Sequence, residues 1–172
     1  MKKFHFAFLL VLGLLAGTQS FAQLAVDKGT KFLNLGIGVG GYGYFSGSGI
    51  GLNAGLDAGI IKNVTVGGLV GYRSYGSGVN SFDLGVRGSY HFNELLQLGT
   101  DKADLYAGVG LSYYRISYGD YYAGIPGFSN SYNTVYFLGH IGGRYFFTDK
   151  IGGFAELGSS LATLKLGVTI KL

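Results

Sequence analysis

The stretch TLKLGVTIKL, residues 163–172, alternates polar and apolar side chains over its whole length. Successive side chains of a β-strand point to opposite faces, so this two-residue period predicts a strand with one apolar and one polar face. The same alternation occurs at residues 33–40 and 50–58. A chain made of such strands is predicted to be an all-β closed sheet, and the question becomes which face meets water.

The composition favours a membrane environment over a water-facing surface. Charged residues make up 13% of the 172 residues, against roughly 25% in ordinary soluble domains. The 33 glycines show no three-residue period, which excludes a collagen-like chain. Cysteine is absent, so the sequence offers neither a disulfide nor a thiol for a lipid anchor.

The first residues predict export. Lys2 and Lys3 precede an apolar run at 6–16, and Ser20 and Ala22 supply the small residues that a signal peptidase reads. The run is shorter than the ~20 residues that a membrane-spanning helix needs. We therefore predict a signal peptide at 1–22, cleaved after Ala22, and a short periplasmic N-terminal segment at 23–30. Cleavage lowers the formal net charge from +4 to +2, which is too weak to indicate nucleic-acid binding.

Eight segments carry the strand pattern, and no convincing helix separates them. They are residues 31–42, 49–60, 63–74, 80–92, 103–116, 133–147, 151–158 and 163–172. Most are near the length at which a tilted strand crosses a bilayer, and their number is even. The sequence therefore predicts an eight-stranded antiparallel up-and-down transmembrane β-barrel over residues 31–172. With both ends of the chain in the periplasm, the outer loops are 43–48, 75–79, 118–132 and 159–162.

These features resemble the small outer-membrane β-barrel proteins of the OmpA-barrel, OmpX and opacity type. The resemblance implies a location in the outer membrane of a Gram-negative bacterium, with outer-membrane lipid and the barrel-insertion machinery as partners. It also implies that the last strand carries the insertion signal, on Leu164, Leu166, Val168, Ile170 and Leu172. The family usually ends in phenylalanine, whereas this chain has Leu172 at that position.

The polar face of the strands suits a narrow barrel interior. It consists mostly of Gly, Ser, Thr and Asn with a few charges of both signs, and an eight-stranded barrel has room for little more. In a secreted, soluble lipocalin-like barrel, which is an alternative, the apolar face would point inward instead. Since unpaired buried charges are costly, the inward charges are expected to pair.

Counting residues across the tight turns predicts which charges meet. Asp57 falls opposite Gly67, which falls opposite Arg87, so the arginine can cross the bare glycine to reach the carboxylate. Glu156 falls opposite Lys165, with Arg144 on the neighbouring strand. We predict two luminal ion-pair clusters, Asp57/Arg87 and Arg144/Glu156/Lys165, which fill the lumen as a packed plug rather than a gate.

Enzyme chemistry has weak support in the sequence. Gly36, Gly38 and Gly41 match a dinucleotide-binding pattern, but no helix follows them. Inward-facing His91 and His140 do not assemble into a triad or a metal set with nearby residues. We therefore predict no catalytic residue, no metal and no cofactor, and keep a lipid-modifying outer-membrane barrel enzyme as the alternative.

Aromatic residues cluster near both predicted ends of the strands, which is typical of membrane-interface girdles. The longest outer loop adds aromatics beyond a strand, namely Tyr118, Tyr121, Tyr122, Phe128 and Tyr132. Such a loop suits binding to an extracellular ligand or host surface, and anchoring at the membrane surface is equally open. The predicted function is that of a non-enzymatic outer-membrane barrel with a structural or surface-interaction role.

Overall fold

A computed structural model describes residues 23–40, 50–76, 78–118, 130–160 and 162–172. The strands are β1 (Lys31–Val39), β2 (Gly51–Ile61), β3 (Val64–Gly76), β4 (Val79–His91), β5 (Ala103–Ser117), β6 (Ser131–Phe146), β7 (Ile151–Gly158) and β8 (Leu164–Lys171). Each strand pairs antiparallel with its neighbours in sequence, and β8 pairs with β1 to close the barrel. The predicted eight-stranded up-and-down barrel is therefore confirmed. The described part of the chain contains no helix long and apolar enough to cross a membrane.

The two faces of the strands are apolar outside and polar inside. Phe137 and Val109 are 83% and 70% exposed on the outer face, whereas Asp57 is 1% exposed on the inner one. This distribution is the reverse of a soluble ligand-binding barrel, so the lipocalin-like alternative is wrong. An apolar outer band with a polar interior is the arrangement of a transmembrane barrel.

The strands end at similar heights at one end of the barrel and at different heights at the other. At the former end, where β1 begins and β8 ends, the strands are joined by the connections 62–63, 92–102 and 147–150. We call this the turn end, and the opposite one the loop end. At the loop end, β6 pairs with β7 only over 140–146, while it pairs with β5 up to Ser131. The hairpin of β5 and β6 therefore projects beyond β7, and we call this projection the overhang.

Some strand boundaries differ from those predicted. β6 begins at Ser131 rather than 133, because it pairs with β5 along the overhang, and β3 continues to Gly76 rather than 74, because it pairs with β4 up to that residue. β1 ends at Val39, earlier than the predicted 42. Residues 41–49 lie outside the described part of the chain, so the predicted loop 43–48 is not covered.

The segment before β1 packs into the turn end of the barrel. Leu24 and Val26 are buried against Phe32 and Phe146. The backbone N–H of Asn63 donates to the carbonyl of Val26 at 2.8 Å, and Asn93 Nδ2 donates to the carbonyl of Leu24 at 3.1 Å. The segment thus covers the turn-end opening, because its alternate apolar side chains fit between inward-facing aromatic rings.

Candidate functional site

Asp57 and Arg87 meet across a glycine inside the barrel. Asp57 on β2 lies opposite Gly67 on β3, which lies opposite Arg87 on β4, in the register that the sequence predicted. Arg87 Nε and Nη2 donate to the two carboxylate oxygens of Asp57, each at 2.8 Å. A Cβ on Gly67 would overlap Asp57 Oδ1, so the glycine provides the space that this bidentate pair needs.

Arg87 also links Asp57 to a second carboxylate. Its Nη1 donates to Glu156 Oε2 at 2.7 Å, and Lys165 Nζ donates to Glu156 Oε1 at 3.0 Å. Glu156 and Lys165 are direct partners in the pairing of β7 and β8. The structure therefore brings Glu156 and Lys165 together and joins the two predicted clusters into one.

Arg144 does not contact Glu156, and its predicted cluster is wrong in this respect. Its Nη1 donates to Asp104 Oδ2 and its Nη2 to Asp57 Oδ2, both at 2.7 Å. Asp104 lies directly opposite Arg144 in the pairing of β5 and β6. The guanidinium also lies over the ring of Tyr106, 4.1 Å from its centroid. The adjacent carboxylate and the aromatic ring hold Arg144 away from Glu156.

Together these contacts form one continuous chain of alternating charge, which we call the luminal network. In order of contact it runs through Lys165, Glu156, Arg87, Asp57, Arg144, Asp104 and His91. Every side chain in it is at most 8% exposed. Three cations from Arg and Lys meet three carboxylates in it, so these charges balance within the network. Buried charges are tolerated when they are paired and hydrogen-bonded in this way.

His91 belongs to the turn-end limit of the network. Its Nδ1 lies 2.7 Å from Asp104 Oδ1, and its Nε2 lies 3.0 Å from Thr65 Oγ1. Asn93 Nδ2 donates to the same Asp104 oxygen at 3.0 Å. Both ring nitrogens therefore have partners, in the hydroxyl–imidazole–carboxylate order of a catalytic triad, but the three side chains are at most 1% exposed, so the series is closed to a substrate.

Ser89 and His140 form a pair that the sequence analysis did not foresee. Ser89 Oγ lies 2.8 Å from His140 Nε2, because a strand separates their positions and Gly108 on that strand leaves room for the ring. No described group is hydrogen-bonded to His140 Nδ1, and both side chains are buried. The pair thus lacks the orienting acid of a catalytic triad. Within the described residues, no group of three His, Asp or Glu side chains could hold a metal.

A small cavity lies on the loop-end side of the luminal network. Its volume is about 20 Å³, and its lining includes Asn53, Arg73 and Lys165. That is room for about one water molecule. Arg73 donates to the carbonyl oxygens of Gly38 and Gly40, which fixes its side chain across this end of the lumen.

The aromatic residues predicted as a binding surface occupy different environments. Tyr118 is half-buried and packs against a cluster of Val79, Tyr114 and Ile116. Its ring is therefore not an exposed loop aromatic, which differs from the prediction. It continues the inward parity of β5, which explains the difference. Tyr132 is 56% exposed. Tyr121, Tyr122 and Phe128 lie outside the described residues.

The last strand presents the apolar face expected of it. Leu166 and Val168 are exposed on the outer face of β8. The strand pairs antiparallel with β1 from Leu164 to Lys171. The residues predicted as the insertion signal lie on this face or follow it, namely Leu164, Leu166, Val168, Ile170 and Leu172. Their recognition by insertion machinery stays a prediction.

No model of a known protein family matches the chain, and no curated protein sequence matches it. Solved structures do. The N-terminal β-barrel domain of Pseudomonas aeruginosa OprF matches with a TM-score of 0.51 and 18% identity, over 87% of this chain and 98% of that one. Neisserial surface protein A matches with 0.54 and 13%, over 83% and 94%. The Yersinia pestis outer membrane protein Ail in a phospholipid nanodisc matches with 0.52 and 12%, over 84% and 100%. The chain therefore has the fold of the small eight-stranded outer-membrane β-barrels, which its alternating strands resemble in sequence.

Proposed function

We propose that this chain is a non-enzymatic integral outer-membrane barrel with a filled lumen and a structural or surface-contact role. The luminal network is the observation that carries this proposal. Arg87 joins carboxylates on β2 and β7, and Arg144 joins carboxylates on β2 and β5. These links cross the interior rather than line a wall. The cavity beside them holds about one water, which is too little for a hydrated ion path.

The energetics favour a fixed plug over a gate. Moving Arg87 or Arg144 aside would separate buried charges from their partners, and breaking one buried pair costs about 3 to 5 kcal/mol. Each arginine contacts two carboxylates, so opening a path would break several pairs at once. Thermal opening at this cost is rare.

The fold and the first residues support the following proposed placement in the cell. The chain is exported, cleaved after Ala22 and inserted into the outer membrane with its turn end in the periplasm. The apolar outer face then meets lipid, and the insertion machinery binds the last strand. The loop end, with the overhang, faces outward and is the surface available to an extracellular ligand or host surface.

Enzyme activity is not part of the proposal. Thr65, His91 and Asp104 follow the order of a catalytic triad, and Ser89 pairs with His140, but all five side chains are buried within the lumen. The Ser89 and His140 side chains are 4% and 7% exposed, so a lipid acyl chain has no direct access to their hydrogen-bonded atoms. The Ser89–His140 pair therefore links β4 to β6 across Gly108 of β5.

Two measurements test the proposal. In planar lipid bilayers, the mature barrel is expected to give no steady current above that of the bare membrane, and large steady currents would refute the filled lumen. In cells, the mature protein is expected in the outer-membrane fraction, with a gel mobility that changes on boiling. Recovery in a soluble fraction would refute the membrane placement.

A further inference from the structure

The exposed cations of the barrel are concentrated at the turn end. Six lysines lie there, and we call them the lysine rim: Lys28, Lys31, Lys62, Lys102, Lys150 and Lys171. Five of them are exposed and Lys171 is half-buried. In the rest of the described chain, Arg115 near the loop end of β5 is the one exposed cation. Four exposed carboxylates lie at the same end, namely Asp27, Glu94, Asp101 and Asp149, so the six lysines leave this edge with a net charge of +2.

Most of the rim has no carboxylate partner. Lys62 Nζ lies 2.8 Å from Glu94 Oε1, and Asn63 Nδ2 donates to the other oxygen of Glu94 at 2.8 Å. The remaining five lysines have no carboxylate within 4.0 Å among the described residues. Since the luminal network is balanced, these ammonium groups are not needed inside the fold.

The rim lies next to an aromatic girdle. Tyr90 and Phe92 pack edge to face at 5.1 Å between ring centroids, and Tyr145 and Phe147 do so at 6.0 Å. All four rings lie at the turn-end limits of β4 and β6, next to the connections that carry the rim lysines. Such rings mark the depth of lipid headgroups. Lysine stems lie along apolar surface while the ammonium reaches the polar layer.

The longest turn-end connection also presents apolar side chains. Leu95 and Leu96 are 67% and 50% exposed. Their backbone is held in place, since the N–H of Leu96 donates to the carbonyl of Phe92 at 2.8 Å and that of Leu98 to the carbonyl of Asn93 at 3.0 Å. Two exposed leucines on a backbone held in place next to an aromatic girdle fit the apolar side of a headgroup layer.

We propose that the lysine rim is a binding surface for anionic phospholipid headgroups around the turn end. Its lysines come from the start of β1, from the connections after β2, β4 and β6, and from the end of β8, so they surround the barrel. A protein partner would dock on one side, whereas lipids contact the full circumference. Net positive charge selects anionic over zwitterionic headgroups.

The expected selectivity, meaning the preference for anionic over zwitterionic lipid, follows from the contribution of a single lysine to headgroup binding. A lysine near an anionic surface strengthens association about fivefold. Half of the lipids around the barrel lie in the other leaflet, where the described surface offers Arg115 alone. The preference for anionic over zwitterionic lipid, averaged over all lipids in contact with the barrel, is therefore expected to be about threefold. The assay is electron spin resonance on the folded mature barrel in phosphatidylcholine vesicles, comparing spin-labelled phosphatidylglycerol with spin-labelled phosphatidylcholine. Both leaflets have the same composition, so the orientation of insertion does not affect the result.

Matched variants separate this surface from general charge. Changing the five unpaired rim lysines to glutamine is expected to bring the selectivity to about one, while changing the same five to arginine keeps it near threefold. Arg115→Gln, which removes an exposed cation at the other end, is expected to leave it unchanged. A change in gel mobility on boiling verifies that each variant is folded. Wild-type selectivity near one, unchanged selectivity in the glutamine variant, or an equal loss in Arg115→Gln would each overturn the proposal.

Discussion

Asp57 is the residue on which the luminal network depends most. Its carboxylate accepts two hydrogen bonds from Arg87, one from Arg144 and one from Asn34. Asp57→Asn keeps the shape of the side chain but removes the charge that two buried arginines share. Each arginine retains one carboxylate, on Glu156 or Asp104, so neither is left entirely unpaired.

The loss of stability expected for Asp57→Asn follows from the number of charged partners that Asp57 has. Removing one partner of a buried ion pair costs about 3 to 5 kcal/mol. The remaining carboxylates limit the loss for each arginine, but two arginines are affected, so we expect the free energy of unfolding to fall by about 3 to 5 kcal/mol. The exposed Asp149 provides a matched control, because Asp149→Asn removes the same charge where no buried partner exists and should change stability by less than about 0.5 kcal/mol.

A double variant tests whether the network acts as a unit. Arg144→Met removes one cation, so in combination with Asp57→Asn the network is balanced again. The combined loss is expected to be smaller than the sum of the two single losses by about 1 to 3 kcal/mol. The measurement is urea unfolding in lipid vesicles, followed by far-UV circular dichroism because the chain has no tryptophan. A loss below about 1 kcal/mol for Asp57→Asn, or additive losses in the double variant, would refute a coupled network.

Three further changes test separate parts of the structure. Gly67→Ala places a Cβ against a carboxylate of the network and against backbone, so it should cost about 1 to 3 kcal/mol in the same unfolding assay, whereas Gly139→Ala has nothing within 4 Å of the added carbon and should be near neutral. Val26→Ala removes two buried methyl groups from the segment that covers the turn end and is expected to cost about 2 kcal/mol; an unchanged midpoint would mean that this segment does not pack. Hydrogen bonds from Lys62 and Asn63 lower the pKa of Glu94, so Lys62→Gln should raise that pKa toward its ordinary value in an NMR titration. The lowered pKa means that the Glu94 contribution to stability is present at neutral pH and is lost as the pH falls through the folded-state value, so a lower pKa in the variant would contradict the pairing.

The sequence was sufficient to predict which residues lie opposite each other where strands are joined by tight turns. Alternation assigned each side chain to a face, and counting across the turns after β2 and β3 placed Asp57 opposite Gly67 and Arg87. The same count across the turn after β7 placed Glu156 opposite Lys165. A two-residue period leaves little freedom, since a slip of one residue would turn every apolar side chain inward.

The sequence was insufficient to predict side-chain contacts where a long loop joins two strands or where the contacts cross the lumen. The connection between β5 and β6 is too long for its ends to be aligned by counting, so the pairing of Asp104 with Arg144 was missed. Arg144 on β6 also contacts Asp57 on β2, and these strands are not neighbours in the sheet. Such a contact depends on the diameter of the closed barrel and the length of the arginine, neither of which the alternation pattern reports.

Three of the four described arginines lie in the interior and six of the seven described lysines lie on the rim, with Arg115 and Lys165 as the exceptions, and this division has a physical reason. Arg73, Arg87 and Arg144 lie inside, where each guanidinium donates to at least two acceptors at once. A planar fork with several donors suits such shared pairing, and its charge persists when buried. The rim consists of lysines, whose flexible stems and strongly hydrated ammonium groups suit an aqueous headgroup layer. The distribution is therefore consistent with an interior organised for fixed pairing and a rim organised for mobile, anionic lipid.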